Sequence, residues 1–91
     1  GETLIIKPEE VQVNANYLGG GYGVMGDAER EAIVIFARTE GLIVDPVYTG
    51  RAAAGLIDLI RSGFFSKDDH VLFWHTGGTP ALFAEQYQKL L

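Results

Sequence analysis

Two hydroxyl-bearing residues, Tyr48 and Thr49, stand side by side in Asp45-Pro46-Val47-Tyr48-Thr49-Gly50, and a second polar turn, His75-Thr76-Gly77-Gly78, follows later in the chain. Each turn falls where an apolar run gives way to a helix-like pattern, a common address for ligand contacts in α/β proteins. A phenol can move a proton when something holds it in place, and a threonine hydroxyl is a neutral hydrogen-bond partner of adjustable orientation, suited to a ring nitrogen. The two loops are expected to face one planar, polar ligand. Another phenol, Tyr22, sits in Gly19-Gly20-Gly21-Tyr22-Gly23. Glycine at that density reads either as a flexible loop or as one shaped to hold Tyr22.

Other chemistries find less support. His75 has no serine or cysteine partner and reads as a structural histidine bonding across its loop. Two histidines five residues apart among scattered acids match no common metal-ligand spacing. Asp45, an acid before a proline turn, more often caps backbone amides than catalyses. Gly77 and Gly78, ahead of a helix start, could bind a phosphate through backbone amides, but there is no Walker pattern and no adjacent lysine.

The elements that must position these residues follow from periodicity. Leu4-Ile5-Ile6, a turn at Pro8-Glu9-Glu10 and a period-two stretch from Val11 to Tyr17 read as extended chain, the last as a half-buried edge segment. Asp27 is expected to cap a helix to about Glu40, with Glu29 in its first turn, Ala32, Ile33, Phe36 and Ala37 as its apolar stripe, solvated charges opposite, and Gly41 as its stop. Leu42-Ile43-Val44 reads as a buried strand. A helix from Thr49 or Gly50 to Gly63 follows, with Phe64 and Phe65 plugging the bottom of the core. Val71 to Trp74 reads as a second strand, and Thr79-Pro80 as the opening of a last helix. The expectation is an α/β fold with a partial parallel sheet whose other strands lie outside this chain: 1–26 an extended segment and glycine-rich loop, 27–91 alternating helix and strand units.

A chain of 91 residues is short for one domain, yet 47% hydrophobic, too apolar for a disordered segment. Its net charge of −5 and lack of basic clusters speak against a nucleic-acid partner. No apolar run approaches a membrane span. The absence of cysteine fits a reducing, cytoplasmic setting. Gly1 reads as an added residue or a cleavage point rather than a natural start.

Gly21-Tyr22-Gly23-Val24, Asp45-Pro46-Val47-Tyr48-Thr49-Gly50, Ala54-Gly55-Leu56-Ile57-Asp58 and His75-Thr76-Gly77-Gly78 with Pro80-Ala81-Leu82-Phe83 resemble, in order and spacing, the C-terminal part of the D-cysteine desulfhydrase and 1-aminocyclopropane-1-carboxylate deaminase family. These are pyridoxal-phosphate enzymes of the tryptophan synthase β-like fold, lyases in one branch and hydrolases in the other. The resemblance implies that Tyr22 and Tyr48 are the catalytic phenols and that Thr49, Thr76 and Gly77 are cofactor contacts, Thr76 bonding the pyridine nitrogen. It also implies a small amino-acid substrate, a homodimeric whole and no metal. In the deaminase branch the position of Thr49 is typically Glu and that of Thr76 apolar, so two threonines favour the desulfhydrase branch. Arg51 stands where the family usually has lysine. The family's Schiff-base lysine, active-site serine and phosphate loop match nothing here, since Lys7, Lys67 and Lys89 have no suitable context. The chain is therefore expected to be a C-terminal piece, inactive without the N-terminal part of the same enzyme.

Overall fold

The computed structural model describes residues 3–21 and 25–89. Two helices dominate it: α1, Asp27–Glu40, and α2, Thr49–Arg61. Gly41 and Gly63 end the helices as expected, but Asp27 does not cap α1: it is the first helical residue, and Gly26 stands at the N-cap. At the start of α1 the Gly26 N–H is taken by the Glu29 carboxylate at 2.8 Å, satisfying an amide next to the unpaired first turn. At its end Gly41 adopts φ +65° and returns its N–H to the Ala37 carbonyl at 3.2 Å. α2 closes on Gly63, whose φ of +79° lets the Phe64 N–H reach the Leu59 carbonyl at 2.9 Å.

The helices pack through Ala32 and Ile33 of α1 and Ala53 and Ala54 of α2, with Met25, Val44 and Tyr87 completing a small buried core. Small residues on α2 allow close approach. The Gly55 Cα faces the Tyr17 ring so closely that an added Cβ would lie 3.2 Å from it. The C-terminal stretch folds back onto this pair, with Phe36 and Phe73 meeting edge to face at 5.3 Å between ring centroids.

Several expectations are corrected. No strand or sheet exists among the described residues, so the α/β parallel-sheet architecture is not what this chain forms. The two apolar segments, 42–44 and 71–74, do lie near each other. What joins their loops is side chain to backbone: His75 Nε2 and Thr79 Oγ1 both bond the Ile43 carbonyl, at 2.8 and 3.4 Å. Two short segments with no third strand beside them do not sustain a ladder, and of the first segment only Val44 is buried. The stretch 11–16 is exposed rather than half-buried. Phe64 and Phe65 do not plug a core; they pack on each other at 5.0 Å, with Phe64 exposed. The last helix divides into a 3-10 helix, Thr79–Phe83, and a single α-turn, α3, Glu85–Gln88. Pro8–Glu10 forms a short 3-10 turn.

Candidate functional site

The loop between Val44 and α2 is organised by one buried carboxylate. Asp45 is wholly buried and accepts the backbone N–H groups of Val47, Tyr48 and Thr49 at 2.7, 2.8 and 2.9 Å, with the Thr49 hydroxyl donating to it at 2.6 Å. These are the unpaired amides of a helix entrance, where partial positive charge gathers. Burial alone would push the Asp45 carboxyl up. The hydrogen bonds from the Thr49 side chain and from the three amides outweigh it and hold the group below its ordinary value of 3.8. The acid before the proline is thus a cap.

Thr49 is 2% exposed, and its hydroxyl is committed within the protein. Besides donating to Asp45 it accepts the Asp45 N–H at 3.0 Å and lies 3.3 Å from the Gly77 carbonyl. The second loop closes over the first at this point. Gly78 has φ +92°, and a Cβ there would stand 2.5 Å from Asp45 Oδ1, so only glycine lets the loop sit on the carboxylate. His75 fastens the other side. Its Nε2 bonds the Ile43 carbonyl and its Nδ1 accepts the Gly77 N–H at 3.1 Å, so the imidazole bonds across the loop. Beside this fastening Thr76 is exposed, and Tyr48 is 57% exposed.

Tyr48 opens onto a groove of about 790 Å³ that Tyr17, Gly21, Arg51, Leu56 and Leu72 also line. Gly21 is the chain neighbour of Tyr22, which itself lies outside the described residues. The structure therefore brings Tyr48 to the same groove as Gly21. It brings Thr49 to Gly77, and it leaves Thr76 on the outer side of that contact. Tyr17 is a different kind of phenol. The hydrogen bond it donates to Asp58 at 2.6 Å, then burial and the Asp58 charge, hold its proton on and raise it above 10.0.

Sequence reasoning missed one pair. Glu29, expected among solvated charges, is 4% exposed, and its Oε1 lies 3.4 Å from Arg51 Nε. The spacing Gly26-x-x-Glu29, an acid at the third helical position behind a glycine cap, is the signal that could have found it. Among the described residues no cluster of three or more His, Asp or Glu side chains could hold a metal ion, and no helix is long and apolar enough to cross a membrane.

No family model matches the chain. Individual curated proteins do. D-cysteine desulfhydrases of Salmonella typhi, Salmonella newport and Salmonella heidelberg are each 46% identical to it over 84 residues, which is 92% of this chain. The chain spans about a quarter, 26%, of the length of those relatives.

Proposed function

Because this chain is a relative of the D-cysteine desulfhydrases over 84 of its residues, we propose that the whole protein is a pyridoxal-phosphate-dependent lyase that converts D-cysteine and water to sulfide, ammonia and pyruvate. The observation that carries the reading is that 46% identity. The geometry supports it in what it leaves accessible. A cofactor ring needs polar groups it can reach, and Tyr48 and Thr76 are both exposed residues beside the junction of the two loops. The residues fit the group in that respect. Thr49 and the Gly77 N–H fit differently: both are engaged internally, and their part is to fix the edge that Thr76 presents.

When bound, the cofactor supplies an electron sink for the pair left on the substrate Cα after proton removal. Tyr48, with Tyr22 on the glycine loop, handles protons at the reacting centre. The Thr76 hydroxyl bonds the pyridine nitrogen. A hydroxyl there leaves the ring nearer neutral than a carboxylate would, and expulsion of a β-thiol, which carries off its own charge, needs only a modest sink. The covalent lysine and the phosphate site come from the part of the relatives that this chain does not span, and the working enzyme is a cytoplasmic homodimer.

The test supplies the full-length protein with D-cysteine and with 1-aminocyclopropane-1-carboxylate. Sulfide with pyruvate from the first is expected; ammonia with 2-oxobutyrate from the second and no sulfide would overturn the choice of branch. A full-length protein with no borohydride-sensitive cofactor band would instead be a non-catalytic binding module. Thr76→Val is expected to weaken or shift that band, and an unchanged spectrum would remove Thr76 from the ring nitrogen.

A further inference from the structure

One buried ion pair contacts the glycine loop at Gly21 and at Gly26. Glu29 takes the Gly26 N–H at 2.8 Å, and the Arg51 guanidinium, through Nη2, donates to the Gly21 carbonyl. The two side chains meet at 3.4 Å between Arg51 Nε and Glu29 Oε1, with side-chain exposures of only 12% and 5%. A second ion pair between the two helices among the described residues, Arg61 with Glu31, is half exposed on both sides. The glycines fit around the buried pair. A Cβ at Gly19 would lie 2.9 Å from Glu29 Oε1, and one at Gly26 would lie 2.8 Å from Glu29 Oε2. Gly19 and Gly21 also hold φ of +57° and +103°. Gly19 and Gly26 thus leave room for the Glu29 carboxylate, and Gly19 and Gly21 supply the left-handed backbone.

We propose that Glu29 and Arg51 are a positioning pair: they latch Gly21 and Gly26, which flank Tyr22 in the sequence, to the first turn of α2, beside the groove onto which Tyr48 opens. Desolvation largely offsets the attraction of a buried pair, so its main product is one defined geometry rather than net stability. Here that geometry spans the two loops whose phenols the proposed reaction uses. Arg51 follows Tyr48 by three residues and Glu29 follows Tyr22 by seven, so neither needs to touch substrate to set their spacing. The role of Tyr22 rests on the proposed function, whereas the latch rests on the contacts alone.

The test uses the full-length protein with Arg51→Gln, Glu29→Gln and the conservative Arg51→Lys, read by amide hydrogen exchange of peptides covering 19–26 and by steady-state kinetics on D-cysteine. The two neutralising variants are expected to speed exchange in that segment by about tenfold or more, with α1 and α2 unchanged. They are expected to lower kcat by on the order of a hundredfold with little change in KM. Arg51→Lys restores most of both. Unchanged exchange in either neutralising variant that remains folded overturns the latch. Should both unfold, partial loosening confined to 19–26 in Arg51→Lys supports it, and uniform exchange there overturns it. Faster exchange with undiminished kcat leaves the latch standing and removes Tyr22 from the reaction.

Discussion

At the level of single residues, the loops divide their hydroxyls between fastening and presentation. Tyr48 presents: the residue is 57% exposed and lines the groove, so Tyr48→Phe is expected to lower turnover of the full-length protein by about a hundredfold or more while thermal unfolding shifts little. Equal loss of both would make the phenol structural. Asp45 fastens. Its carboxyl is held below 3.8 in the folded protein, so the stability it contributes is complete above that value and is lost as pH falls below 3.8 through the folded-state value. Asp45→Asn is expected to destabilise by about 2 kcal/mol near neutral pH, because an amide cannot accept from all the donors that the carboxylate serves. Denaturant unfolding from neutral pH down to pH 3 checks both points, since the acid limb should flatten in the variant. The capping role of Asp45 and the bridging role of His75 were legible in the residue types alone. The inward turn of the Thr49 hydroxyl was not, because nothing in the sequence shows which of two neighbouring hydroxyls a buried carboxylate will take.

At the level of elements, the helices were readable and the strands were not, for one physical reason. A helix closes its hydrogen bonds within its own segment, so Asp27, Gly41 and Gly63 could mark its limits locally. A strand exists only with a partner, and Leu42-Ile43-Val44 has the composition of one without the neighbour that would make it one. The start of α2 shows how tightly the fastening is built. The Gly50 N–H donates to the Asp45 carbonyl at 2.7 Å, and a Cβ on Gly50 would overlap that oxygen. Gly50→Ala is therefore expected to destabilise by about 1–3 kcal/mol, whereas Ala52→Ser, on the exposed face of the same turn, should stay within about 0.5 kcal/mol. Chemical denaturation of the pair decides it, and equal effects would contradict the close approach.

At the level of the whole molecule, the apolar surface exceeds what the small core can use. Leu4, Ile5, Val13, Leu72 and Trp74 all stand exposed, Leu72 by 80%. The radius of gyration is 14.9 Å, against about 12 Å for a compact chain of this length. A free-standing monomer rarely keeps so much apolar area in contact with water. Under the proposed reading, the remainder of the enzyme covers it. The 91-residue chain by itself is accordingly expected to self-associate, with sedimentation coefficients that rise with concentration; a single monomeric species throughout would contradict this.

His75 has a practical consequence. Because one ring nitrogen serves the first loop through the Ile43 carbonyl and the other serves the second through the Gly77 amide, its imidazole is a built-in strain gauge for the gap between them. Nitrogen-15 resonances of that single side chain would register the loops parting, before any change in helix content could be seen.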